Sequence, residues 1–117
     1  MQASVTDLSA DITVLHLRGD LDAGTAAELH SALADLLNRP VPRIVVDLAG
    51  LRFSDSIGLS AFIVNRTLIA DRGGWLSFTG VSPFLRRLLE TVGVTRYFTV
   101  YGNIGEAIAT QPAAVPA

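Results

Sequence analysis

The segment "RIVVDL" (Arg43–Leu48), followed by "AGLRFSDSIGLSAFIV" (Ala49–Val64), decides the fold. The first six residues form a short, nearly continuous β-branched run, as in a central strand covered on both faces. The spacing then changes to helical. A helix is predicted from about Ser56 to Asp71, closed by Gly73-Gly74, with "AGLRFSD" as the turn before it. Ser54, Asp55 and Ser56 can each accept a hydrogen bond from free N–H groups at the start of that helix, and Ser56 is the expected cap. One cap explains one of them, not three.

Outward from this unit the same alternation repeats. "ITVLHLRG" (Ile12–Gly19) reads as a strand, and "ASVTDL" before it as its hairpin partner through Ser9-Ala10. In "GDLDAGTAAELHSALADLLNRP" the pair Thr25 and Glu28 suggests a capping box. Ala26, Leu29, Leu33, Leu36 and Leu37 give a helical apolar face, and Pro40 and Pro42 end it. "WLSFTG" reads as a strand. "VSPFLRRLLETVGV" is a helix with Ser82 at its N-cap, Pro83 behind it and Gly93 as its stop. "RYFTVY" is a last strand, "NIGEAIAT" a terminal helix, and "QPAAVPA" (111–117) a frayed tail. The order ββαβαβαβα implies one α/β domain over residues 1–110, with helices layered on a sheet.

The helix from Ser56 has two apolar stripes on a helical wheel. Ile57, Ala61, Val64 and Leu68 make one; Leu59, Phe62, Ile63, Ile69 and Ala70 make the other. A helix covering a sheet buries one face. The second stripe implies a neighbouring helix, a partner, or both.

Composition narrows the chemistry. The 117 residues contain no cysteine, which removes disulfides and thiolate-held metals. Half the residues are hydrophobic, and the net charge is −2. All nine basic residues are arginine, and no basic cluster marks a nucleic-acid surface. The longest mainly apolar run, Ile57–Ala70, is interrupted by Asn65 and Arg66 and is shorter than the roughly 20 residues of a membrane span. These features suggest a cytoplasmic protein without direct membrane insertion. His16 and His30 have no second histidine at ligand spacing, so no metal is expected. Phosphate-loop and nucleophile-elbow motifs are absent, and no cofactor is implied. Ser54 or Ser56 with His16 or His30 stays open as a triad only because such partners meet in space. Asp20 and Asp22 sit at a strand-to-helix junction as polar entry residues.

Three segments resemble a known family: "GDLDAGTAAELHSAL" (Gly19–Leu33), "IVVDLAGLRFSDSIGL" (Ile44–Leu59) and "GVSPFLRRLLETVGVTRYFTVYGNIGEAI" (Gly80–Ile108). They are similar to the STAS domain of bacterial anti-sigma factor antagonists, from about Val5 to Ala109. The resemblance implies a mixed sheet of about five strands with helices packed on it. It also implies a regulatory binding protein and not an enzyme, whose partner is an anti-sigma factor, usually an ATP-dependent serine kinase; sequestering that factor frees a sigma factor. Partner contact would fall on Asp22, Ser54, Asp55, Ser56, Ile57, Gly58 and Leu59, and on the helix that follows. The kinase of the family phosphorylates the third residue of D-S-[ST]-G-[LI]. Here the motif reads Asp55-Ser56-Ile57-Gly58-Leu59, and Ile57 has no hydroxyl. The departure leaves three readings: a constitutively active antagonist, phosphorylation at Ser56 or Ser54 instead, or a STAS module whose partner never phosphorylates it. The alternative function is an accessory subunit bound to a transporter ATPase.

Overall fold

The computed structural model describes residues 1–9 and 11–110; the tail expected over 111–117 lies outside the described residues. Ten elements follow the chain. They are β1 (Gln2–Asp7), β2 (Thr13–Leu21), α1 (Ala26–Leu37), β3 (Arg43–Ser54), α2 (Ser56–Asp71), β4 (Trp75–Thr79), α3 (Pro83–Val92), a 3-10 turn (Thr95–Tyr97), β5 (Val100–Tyr101) and α4 (Ile104–Thr110). The five strands lie side by side in chain order. β1 runs antiparallel to β2, and every other neighbouring pair is parallel. The mixed sheet and the ββαβαβαβα order agree with the sequence reading.

Parallel register sets Leu15 beside Val46 and Val14 beside Val45. Because side chains alternate along a strand, these two rows face opposite ways. Leu15, Leu17, Val46 and Leu48 join Leu29, Leu33, Leu59, Phe62, Ile69, Leu85 and Leu89 in the main core beneath α1, α2 and α3. Val14 and Val45 meet Ala107 of α4 on the other face. Val45 and Val46 are fully buried, as the unbroken run required.

Three local expectations are corrected. "AGLRFSD" is not a turn: β3 continues to Ser54, its 12 residues paired with the 9 of β2 through two register shifts. The extra β3 residue at the first shift is absorbed as a bulge, and Leu51 and Ser54 are buried beyond it. "RYFTVY" yields a 3-10 turn and only two strand residues. Phe98 turns inward there, its ring centroid 4.6 Å from that of Phe78 and 6.0 Å from that of Phe62. Thr25 and Glu28 form no capping box, since the Thr25 side chain makes no cap bond. The cap of α3 is as read: Ser82 accepts from the Leu85 N–H, and Gly93 takes the left-handed conformation.

Candidate functional site

The chain ends of β2 and β3 bring two aspartate turns together. After β2, Asp22 Oδ1 accepts the N–H groups of Gly24 at 2.9 Å and Thr25 at 3.1 Å. The Thr25 hydroxyl donates to the Asp20 carbonyl and accepts from the Asp22 N–H, both at 2.9 Å. This closed loop, rather than a capping box, starts α1. After β3, Asp55 caps α2: its Oδ1 accepts the Gly58 N–H at 2.7 Å. Its Oδ2 accepts the Ala23 N–H from the other loop at 3.3 Å, and its own N–H donates to the Leu21 carbonyl at 3.2 Å. One carboxylate therefore starts a helix and ties it to the neighbouring turn.

Gly58 explains how the two turns fit so closely. A Cβ at this position would lie 2.8 Å from the Leu21 carbonyl carbon, 2.9 Å from its Cγ, and nearer still to its oxygen. The first turn of α2 rests on the backbone of β2, and only glycine leaves room.

The candidate residues separate by exposure. Ile57 is 58% exposed and stands at the head of α2, and Ser56 beside it is exposed. Asp22 and Asp55 are half-buried in their turns. Ser54, Gly58 and Leu59 are buried and act as the floor of the site. Two sequence expectations change here. Asp55, not Ser56, is the cap, and the Ser56 hydroxyl makes no hydrogen bond among the described residues. Ser54 is 1% exposed with its hydroxyl donating to the Asp55 carbonyl, so it is closed to a modifying enzyme.

The outer stripe of α2 is also partly redrawn. Ile57, Val64 and Leu68 are exposed, at 58%, 54% and 46%, but Ala61 turns to the core. Asn65, read as an interruption, is buried: its Nδ2 donates to the Ala61 carbonyl at 2.8 Å and to His30 Nδ1 at 3.0 Å, linking α2 to α1. Sequence reasoning missed two further exposed apolar residues. Phe53 and Phe84 are each more than two-fifths exposed, and their rings stack with centroids 6.0 Å apart. By sequence Phe53 falls in an expected turn and Phe84 follows the Pro83 of a helix start; their meeting is visible only in three dimensions. His16 and His30 lie on β2 and α1, and neither forms a triad with Ser54 or Ser56.

Comparison with known proteins identifies this framework. The profile of the family described as "Mlab, STAS domain" matches residues 4–102. The chain belongs to the STAS domain family. Among relatives of this STAS chain is an anti-sigma F factor antagonist of Paenibacillus polymyxa, 29% identical over 93 residues, which are 79% of this chain and 80% of that one. The anti-sigma-F factor antagonist RsfB of Mycobacterium tuberculosis is 26% identical over 110 residues, covering 90% of this chain and 88% of the relative. The crystal structure of an anti-sigma factor antagonist from Mycobacterium paratuberculosis superposes with a TM-score of 0.80 at 23% identity, over 92% of this STAS chain and 91% of that one. That likeness bears on the fold. Among the described residues, no helix is long and apolar enough to cross a membrane.

Proposed function

We propose that this STAS protein is an anti-sigma factor antagonist: a cytoplasmic regulatory binding protein, without catalysis of its own, that sequesters an anti-sigma factor and so frees a sigma factor. The names of its relatives support the partner class. The observation that carries the docking surface is Ile57. It is a large aliphatic side chain held out at the head of α2 by a cap, a glycine contact and a tie to the β2–α1 turn. Asp22, Asp55, Ser56 and Ile57 form the contact. Ser54, Gly58 and Leu59 support it from below, and Phe53 and Phe84 extend it.

Ile57 also shapes the regulation. An alkyl group cannot accept a phosphoryl group, so a kinase partner that reads the third motif position is bound but does not release itself by this route. The same isoleucine favours the second reading, an accessory subunit on a transporter ATPase.

The test is affinity capture from native lysate with wild type and Ile57→Glu, with the captured proteins identified by mass. The expected result is an anti-sigma factor retained by wild type and lost with Ile57→Glu. Retention of a transporter ATPase in its place selects the second reading. Equal capture by a folded Ile57→Glu protein removes the docking surface.

A further inference from the structure

The sheet face turned away from α1–α3 is covered by α4 over Val14 and Val45. Farther along β2 lies a polar strip from three strands. Cross-strand pairing places Ser4 and Asp47 on either side of His16, and Gln2 and Gly50 on either side of Arg18. His16 Nδ1 lies 2.8 Å from Asp47 Oδ2, and the carboxylate, an acceptor only, makes that nitrogen the donor. Asp47 Oδ1 accepts the Ala49 N–H at 3.0 Å, so both carboxylate oxygens are engaged and the ring is fixed. His16 Nε2 then points to the Thr6 hydroxyl, 3.3 Å away.

Arg18 is the unmatched group of this strip. It is exposed and has no side-chain hydrogen bond or ion pair among the described residues. Asp20, two residues on, lies 3.5 Å from Arg52. The Arg18 stem is laid across Gly50, where a Cβ would fall 2.8 Å from Arg18 Cγ and 3.1 Å from the Leu17 carbonyl oxygen. Two adjoining grooves, of about 360 and 280 Å³, share Arg18 and Gly50.

We propose that this strip binds a small phosphate monoester, with the phosphoryl group on Arg18 and the Ser4 hydroxyl beside the fixed His16 ring and the organic part in the groove toward Gln2 and Arg52. The guanidinium fork matches the paired oxygens of a phosphate, and its stem already rests in place, which lowers the ordering cost of binding. The Ser4 hydroxyl lines the same groove as a donor, while the Thr6 hydroxyl is engaged with His16 Nε2. A groove of about 360 Å³ suits a small ester and not a long chain. This site is separate from the Ile57 surface and does not depend on its function.

The experiment is an amide NMR titration of the full chain with glycerol 3-phosphate, and with inorganic phosphate, sulfate and glycerol as comparisons. The expected result is saturable shifts at His16, Arg18 and Gly50 with the ester, at a Kd of about 1 mM or tighter. Inorganic phosphate binds more weakly, and glycerol does not bind. Arg18→Gln, at an exposed position, leaves the spectrum folded and weakens the ester at least about tenfold. Gly50→Ala, which displaces the Arg18 stem, weakens it as well. Absence of saturable shifts overturns the proposal. So does sulfate binding as well as the ester, or unchanged affinity in Arg18→Gln, which would indicate an adventitious ion only. Binding only to vesicles of phosphatidic acid, without response to the soluble ester, also overturns it.

Discussion

Gly58→Ala opposes two effects of known size. Alanine in place of glycine inside a helix stabilises by about 1 kcal/mol from backbone entropy alone. At position 58, however, the new Cβ would fall 2.8 Å from the Leu21 carbonyl carbon and closer to its oxygen, and these are backbone atoms that cannot rotate away. Overpacking against a fixed neighbour costs about 1–3 kcal/mol. Moving the first turn of α2 outward also stretches the Asp55–Ala23 hydrogen bond, now 3.3 Å, and the Asp55–Leu21 bond, now 3.2 Å. Each such bond contributes about 1 kcal/mol. The clash and the loosened bonds outweigh the propensity gain, so net destabilisation of about 1–3 kcal/mol is expected. Urea unfolding followed by circular dichroism reads it as a lower midpoint at unchanged slope. Gly58→Ala as stable as wild type, or more stable, would refute the close approach of α2 to β2.

Phe84→Ala, which removes half of the Phe53–Phe84 stack, should weaken binding of the captured anti-sigma factor about tenfold in calorimetry. Thermal melts should register only a small loss, because the ring is largely outside the core. The Arg39 guanidinium and the Thr13 hydroxyl hold the Asp7 carboxyl below the usual carboxylate range. The stability they contribute is complete above the unfolded value of about 3.8 and is lost as pH falls through the lower folded value. Urea midpoints of wild type should therefore fall more steeply across that window than those of Asp7→Asn. Incubated with a kinase-type partner and ATP, Ile57→Ser should gain one phosphate by intact mass, whereas wild type and Ser56→Ala should not. A stoichiometric phosphate on Ser56 of wild type would mean that the acceptor has moved by one residue.

The alternation of strands and helices was legible because each element carries its own period: the apolar run of β3, the leucine face of α1, the Ser82–Pro83 start and Gly93 stop of α3. Errors came where a residue type has two meanings. Gly50 in "AGLRFSD" suggested a turn but sits beside a bulge in a continuing strand, which also carried Ser54 out of solvent and into the core. Three adjacent capping residues, Ser54, Asp55 and Ser56, could not be ranked from their types alone; Asp55, extended at φ −113° and ψ 176°, is the one whose side chain accepts the Gly58 N–H. The place of Ile57 at the edge of the sheet followed from topology, and that of Asp22 beside it was implied by the family resemblance. The Phe53–Phe84 stack and the His16–Asp47 pair join residues 31 apart in chain and sit on different elements, and no local pattern encodes them.

The two stripes of α2 can now be told apart by what the fold requires. Leu59, Phe62 and Ile69 are buried against the sheet and α1, and the domain accounts for each. Ile57, Val64 and Leu68 contribute almost nothing to that core, yet all three stand on one side of the helix. Single exposed aliphatics are ordinary on a protein surface, but a row of three along one side of a helix is not. Fully covering a side chain such as Ile57 gains about 1.5–3 kcal/mol from burial. Slightly more than half of that remains open to a partner at 58% exposure, on the order of 1 kcal/mol. Glutamate at 57 would forfeit this gain and add the cost of desolvating a carboxylate beside Asp22 and Asp55. That is why Ile57→Glu, although harmless to the isolated fold, discriminates a docking surface from an accident of composition.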